Sequence, residues 1–478
     1  MRPTRRSVVK SLGAAALSSP FAVHSHSARA QDKADVLVLG AGLSGLQSAL
    51  LLEELGYSVI LLEGRNRIGG KVLTHKMQEG FVELGGQTIA AGYGRMRDMA
   101  ARTGIELFDF LPRVMMDGAP ALALNHQIIP KANWADSPLN PFAPHNKDKM
   151  PWELASGILA KHNPLKDPGD WSDPKSFNLD VPFYDFLKAH GLTDAEIELS
   201  YNTNVGYGTS AHDISALMMF FIQSWNTQQS EGAPNMFGAP GGNTDIITGM
   251  ANQLSTEVRL NQEVQSINSS GKGVEVRCAN GSRYSAKAAI CSFPFSTLKY
   301  VNITPTLSSA QQQAVYTLPF MQITITVLEA AEPFWEKDGL GPTTWTNGPA
   351  GIITATRYGE SGEVNALTSW TRGHDAARLD RLGPDIAKAL VLQELEAARP
   401  AAKGKVKATH YHSWGAEPFS AGDWAVFRPG QIASFRSEMA TPHERLFFCG
   451  EHTAISNRGM EGALESAERV VFEVIERI

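Results

Sequence analysis

A dense apolar run, Ala34-Asp35-Val36-Leu37-Val38-Leu39, breaks abruptly into Gly40-Ala41-Gly42-Leu43-Ser44-Gly45. Apolar residues resume at helical spacing over Leu46 to Leu55, then form a short run from Ser58 to Leu62 that stops at Glu63. Short apolar runs bounded by turn residues read as strands, and a longer periodic stretch reads as a helix. The pattern therefore predicts strand, glycine turn, helix, strand, acid. At the other end, Arg445 to His452 predicts an apolar strand ending in Gly450-Glu451. After Gly459-Met460-Glu461-Gly462, the residues Ala463, Ala467, Val470, Val471, Val474, Ile475 and Ile478 fall on one stripe of helical period. Between the two ends, Val258–Ile267 and Gly273–Arg277 read as paired strands. Met321–Val327 reads as a further strand, and Gly241-Gly242 heads a helix-like segment.

Length sharpens this picture: 478 residues exceed what one core organises, so two domains are expected. Apolar residues make up 43% and charged residues 19%, which is globular material. A formal net charge of −6 argues against nucleic acid or an anionic membrane surface as the main partner. Cys278, Cys291 and Cys449 lack metal-ligand spacing, and an odd number cannot all pair internally. Cys291 and Cys449 sit in apolar runs and read as small buried core residues.

The first thirty residues read as an address. Thr4-Arg5-Arg6-Ser7-Val8-Val9-Lys10 precedes a mildly apolar stretch, Ser11 to Val23, and then Ala28-Arg29-Ala30, whose small residues suit a signal peptidase. The paired arginines resemble a twin-arginine signal, which implies export of the folded chain to the periplasm. No later run reaches 18 apolar residues, so no membrane span is expected in the mature protein.

The glycine turn carries the first chemistry. In a strand–turn–helix setting, the first glycine (Gly40) makes the tight turn. The second (Gly42) lets backbone approach a pyrophosphate, and the third (Gly45) lets the helix pack on the strand. Gly40, Gly42, Ser44 and Gly45 thus head a helix whose free N–H groups and positive dipole end face phosphate. Glu63 is placed to accept hydrogen bonds from a ribose diol, and its charge opposes an NADP 2′-phosphate. NAD and FAD remain.

The residues after Glu63 separate the two cofactors. Gly64-Arg65-Asn66-Arg67-Ile68-Gly69-Gly70-Lys71-Val72 and Glu83-Leu84-Gly85-Gly86-Gln87 resemble the flavin monoamine oxidase family, which has an acid followed by Arg, a Gly-Gly-Arg motif and a Leu-Gly-Gly motif. Lys71 stands where that family usually has Arg, turning a fork into a point charge. The likeness covers roughly residues 34–110, 240–335 and 405–478. It implies an α/β fold: a Rossmann-type FAD-binding domain assembled from discontinuous segments (34–110, 236–300 and 406–478), plus an α+β substrate-binding domain (111–235 and 301–405). It also implies FAD contacts at Gly64, Arg65, Gly70, Lys71, Gly86, Gln87, Val264 (backbone to the adenine), Glu451 and Met460. The terminal helix would aim its N-terminus at the flavin pyrimidine ring.

The resemblance also implies a substrate site between two aromatic rings at the flavin face. The first ring maps onto Trp424 and the second onto Gly459, so half of that cage is absent or is supplied from elsewhere, with Arg458 next door. The residue that links the flavin covalently in the mammalian enzymes is a Cys, and here it is Asp423, which implies non-covalent FAD. A lysine usual in the strand before Pro333-Phe334-Trp335 is missing. No Lys occurs from Tyr300 to Glu336, and the aligned position is close to Ile325, flanked by Thr324 and Thr326. A periplasmic electron carrier such as a c-type cytochrome is therefore expected as acceptor ahead of dioxygen.

The expected reaction is oxidation of a small-molecule amine to an imine, with a hydride passing to the flavin, followed by hydrolysis to an aldehyde or ketone. Three alternatives stay open: an L-amino-acid oxidase, for which Arg458 is the candidate carboxylate partner; a carbon–carbon desaturase; and a non-catalytic FAD-binding exported protein.

Overall fold

A computed structural model describes residues 32–115, 117–230, 234–357, 363–364 and 366–478. The leader expected over residues 1–30 lies outside them. The first apolar run forms strand β1 (Asp32–Leu39), the glycine turn opens helix α1 (Leu43–Glu54), and the next run forms β2 (Val59–Leu62). β1 lies parallel to β2 on one side, with Val36 opposite Val59. On the other side it lies parallel to strand Arg283–Cys291, with Val36 opposite Ala288. Val36 to Leu39 are wholly buried. That is why they read as a continuous apolar run: a parallel strand is covered on both faces.

The sheet around β1 has seven strands. Asn302–Thr304, Val264–Ser270, Gly273–Cys278 and Arg283–Cys291 lead to β1 and β2, and Leu446–Phe448 pairs with Arg283–Cys291. Three distant stretches of chain thus meet in one sheet. The C-terminal helix α2 (Gly459–Ile475) buries its apolar stripe against α1. All three cysteines are free and buried.

A second seven-stranded sheet runs Val406–Ser413, β3 (Ile323–Ala330), β5 (Ala366–Arg372), β4 (Ile352–Thr356), Thr344–Thr346, Ala121–Leu124 and Gln127–Ile129. Its register sets Ile323 opposite Arg372, Ile325 opposite Trp370, and Ile352 opposite Trp370. Directly opposed residues share a face, and so do residues two apart in a strand. Ile323, Ile325, Ile352, Thr354, Trp370 and Arg372 therefore share one face. Leu328, Ile353 and Leu367 share the other, packed with Leu379, Val391 and Leu395 of helices Gly373–Leu382 and Pro384–Ala398.

Three differences between the observed elements and the sequence pattern have a clear physical reason. α1 begins three residues early, at Leu43, because Gly42 takes the N-cap position and Gly45 lies inside the first turn. The strand expected from Val258 starts at Val264: Asn261 adopts a left-handed φ of 56°, and the preceding residues bridge Leu62 through Arg259 instead. β3 starts at Ile323 because Phe320 and Met321 pair with the Trp424–Ala425 segment; the Met321 N–H donates to the Trp424 carbonyl at 2.9 Å. The terminal helix ends at Ile475, short of Ile478. Among the described residues, no helix is long and apolar enough to cross a membrane.

Candidate active site

A cleft of about 500 Å³ lies between the glycine turn of the first sheet and the Trp370 face of the second. Its floor is backbone. Gly40 has a φ of 105°, a left-handed value that suits glycine. A Cβ on Gly45 would overlap the Gly40 carbonyl oxygen, so only glycine lets α1 seat against β1. A Cβ on Gly70 would come within 3.2 Å of the Gly42 Cα, so the two glycines bring their backbones together beside the cleft. The first turn of α1 has no side-chain cap at Gly42, which leaves its N–H groups open to an anion, with Ser44 lining the same wall.

Glu63 follows β2 and is almost fully buried. One carboxylate oxygen accepts the Ala41 N–H at 2.8 Å and the other the Arg65 N–H at 2.9 Å. The oxygen that accepts Ala41 keeps a further lone pair for a ligand, while the other also receives the Arg65 guanidinium. Arg65 pairs with Glu63 at 3.4 Å, and also with Glu417 and, at 2.7 Å, the Ser420 hydroxyl. Gly64 backs onto the Phe419 ring, where a Cβ would sit 2.7 Å from ring carbon. Gly86 packs on Met460, where a Cβ would meet sulfur at 2.7 Å, and Gln87 lines the cleft beside it. Val264 opens its strand half-buried and is not among the lining residues.

The middle of the cleft holds a buried charge cluster. The Lys71 ammonium donates to the Asp423 carbonyl and lies 5.3 Å from the Phe320 ring centre. Burial pulls the Lys71 pKa down, against the pull of Asp423 and Glu451. Burial also raises the Asp423 carboxyl to about 6, opposed by Lys71. Glu451 accepts the Ala425 N–H at 3.3 Å and faces Arg458 at 3.5 Å. His452, packed edge-on to Phe295, is pulled down to about 3 by burial and so is neutral at ordinary pH.

The far end is aromatic. Trp424 lies 5.6 Å from Tyr207, centre to centre, at 54°, and the Arg458 guanidinium covers the Tyr207 ring at 4.6 Å. Gly459 has a φ of 55°, and a Cβ there would meet only the Tyr93 hydroxyl, at 3.8 Å. The space beside Gly459 thus opens toward Tyr93, which lies 5.7 Å from Trp225. Trp370 and Arg372 look in from the second sheet. Ile325 shares their face but is fully buried outside the cleft lining.

The family resemblance reaches Trp424 and Gly459, and neither it nor the sequence pattern names Tyr93, Tyr207, Trp225, Trp370, Arg372 or His452 as site residues. For Trp370 and Arg372 a signal existed: they alternate with Ser369 and Thr371, the period-2 pattern of a strand with one polar end. Tyr207 lies in a loop fixed by the Tyr201 hydroxyl, which donates to the Tyr207 carbonyl at 2.8 Å, and no local pattern marks it.

The sequence profile of the flavin-containing amine oxidoreductase family matches residues 43–475. The chain belongs to that family. Flavin-containing amine oxidase of Danio rerio is 28% identical over 466 residues, covering 92% of this chain and 85% of that protein. Amine oxidase B of Homo sapiens is 26% identical over 479 residues, covering 93% and 86%. Two solved structures share the fold. Cyclohexylamine oxidase from Brevibacterium oxydans has a TM-score of 0.74 at 18% identity, covering 93% of this chain and 99% of that one. Putrescine oxidase bound to putrescine has a TM-score of 0.72 at 21% identity, covering 93% and 99%. The family's FAD fits the residues present here: a glycine cradle, an uncapped helix end, a buried acid beside it, and a second helix, α2, whose N-terminus at Gly459 has no side-chain cap.

Proposed function

We infer that this FAD-dependent amine oxidoreductase holds its flavin non-covalently, binds its amine against Trp424 and Tyr207, and hands its electrons to a soluble carrier in the periplasm. The observation that carries the reading is one continuous cleft with a phosphate cradle at one end and paired aromatic rings at the other. FAD supplies the acceptor for the electron pair removed when an amine becomes an imine. Trp424 and Tyr207, both half-buried, present aromatic surface to the amine, and these partly apolar surroundings favour its neutral, oxidisable form. Water then converts the released imine to a carbonyl compound. In this reading segments 34–110, 236–300 and 406–478 carry the flavin, and 111–235 and 301–405 shape the substrate end.

Asp423 supports non-covalent binding because a carboxylate forms no thioether with the flavin. Acid precipitation should release all yellow colour into the supernatant; colour in the pellet overturns the reading. The carrier rests on β3, where Ile325 supplies no charge to polarise dioxygen. Amine-reduced enzyme mixed with air-saturated buffer should reoxidise slowly, and with oxidised cytochrome c quickly. Reoxidation by air as fast as reduction by amine makes the protein an oxidase instead. Periplasmic export rests on Arg5-Arg6. Replacing both by Lys should trap the chain in the cytoplasm, with the mature form otherwise starting near Gln31.

A further inference from the structure

Among the described residues four cations line the cleft, and three of them have anionic or carbonyl partners. Lys71 donates to the Asp423 carbonyl, Arg65 pairs with Glu63 and Glu417, and Arg458 faces Glu451. Arg372 is the exception. Its Nε is buried without a hydrogen-bond partner, and among the described residues no carboxylate lies within ion-pair distance of it. Asp423 and Tyr207 act on it only through space, and its guanidinium lies 6.0 Å from the Trp370 ring centre. Burial lowers its pKa, opposed through space by Tyr207 and Asp423.

The fold holds Arg372 there. It is the last residue of β5, opposite Ile323, and the next N–H, of Gly373, donates to the Gln322 carbonyl at 2.9 Å. The strand's alternation turns Arg372 to the cleft beside Trp370, while Thr371 bonds to the Pro349 carbonyl on the other side at 2.8 Å. A guanidinium is a planar fork that fits a carboxylate in two parallel hydrogen bonds. A guanidinium whose Nε is buried without a partner costs stability when the site is empty, and an anionic ligand group offsets that cost.

We propose that the substrate is an amino acid, an amine carrying a carboxylate, and that Arg372 binds the carboxylate while Trp424 and Tyr207 face the amine. This rests on the amine-oxidising function proposed for the cleft and narrows its substrate class. It also moves the carboxylate partner from Arg458, which Glu451 already engages, to a residue on the second sheet.

Two measurements test it. In the first, flavin reduction is followed anaerobically with matched pairs: tyramine and tyrosine, tryptamine and tryptophan, butylamine and 4-aminobutanoate. In at least one pair the carboxylated member should reduce the flavin with an efficiency at least about 30-fold above its partner, the scale set by a buried charge pair. Arg372→Met should collapse that ratio toward one, and Arg372→Lys, which keeps the charge without the fork, should restore part of it. Carboxyl-free amines matching or beating their partners in every pair overturn the proposal, as does a preference that survives Arg372→Met. In the second, calorimetry compares 3-phenylpropanoate with 3-phenylpropan-1-ol on the flavin-loaded protein, with no turnover involved. The carboxylate should bind at least about tenfold tighter, and Arg372→Met should erase the difference. Equal binding in the parent protein overturns the proposal. If Arg372-dependent carboxylate binding is found but no amine or amino acid reduces the flavin, the carboxylate site stands and the amine-oxidising reading falls.

Discussion

The two ends of the cleft are built by different means. The phosphate end is backbone: Gly40, Gly42, Gly45 and Gly70 shape it, within 31 consecutive residues. The aromatic end is side chain: Tyr93, Tyr207, Trp370, Arg372, Trp424 and Arg458 come from separate stretches and meet only after both sheets have formed. A site made of backbone must exclude Cβ atoms at fixed spacing, so it leaves a local signature. A site made of side chains needs only that distant elements pack, and many sequences do that.

The difference is sharpest at Gly45. Gly45→Val puts a branched side chain where even a Cβ overlaps the Gly40 carbonyl. It should cost at least about 3 kcal/mol and yield little soluble, yellow protein. Absorbance of bound flavin against protein and a thermal melt check this; a stable, flavin-loaded variant would mean that α1 can shift off β1 and that the cradle is soft.

At the other end, Trp424→Ala should leave flavin content intact and slow flavin reduction at least about 100-fold, near 3 kcal/mol. Tyr207→Ala should act in the same direction, with less than additive loss in the double variant, because the two rings pack on each other, tilted at 54° with centres 5.6 Å apart. Unchanged reduction kinetics would make Trp424 a packing residue.

Glu83 tests how rigid the backbone end is. It is buried, with its carboxylate accepting the Asn243 N–H at 2.7 Å and the Thr74 hydroxyl, and burial raises its pKa from 4.5 to about 7. The folded state therefore binds this proton more tightly than the unfolded chain does. Its contribution is full below pH 4.5, declines as pH rises to about 7, and is lost above. The span corresponds to about 3 kcal/mol. Melting curves from pH 4.5 to 8 should slope less in Glu83→Gln, which keeps an acceptor for Asn243 without the charge. An unaltered slope would show that another group carries the pH dependence.

These contrasts also explain what the sequence made legible. The β1–α1–β2 unit and α2 were readable because burial on both faces or on one stripe writes itself into apolar spacing. Glu63 was readable because it directly follows a strand. The start of β3 was not, because Phe320 and Met321 are claimed by the Trp424 segment about a hundred residues on, an interaction with no local trace. Tyr207 was hidden in a loop that only its tertiary contacts order. The lost ring at Gly459 was visible, but not that the space beside Gly459 opens onto Tyr93.

Gly459 offers the smallest and most discriminating effect, because it belongs to both ends: it begins α2 and faces the aromatic site. Gly459→Ala asks an L-residue to hold a φ of 55°, at a cost of about 1–2 kcal/mol. The new methyl group would meet only the Tyr93 hydroxyl, at an ordinary contact distance of 3.8 Å, so overlap adds little. The melting temperature should fall by a few degrees while flavin stays bound. If the gap is part of the substrate site, the methyl also narrows it, and bulky amines should bind a few-fold more weakly while small ones are unaffected. Strain alone moves the melting temperature and treats every amine alike. Titrating flavin reduction with a small and a bulky amine in parent and variant separates the two. A size-independent effect would mean that Gly459 serves the helix start alone, and the aromatic end would then be confined to Trp424, Tyr207 and the second-sheet face.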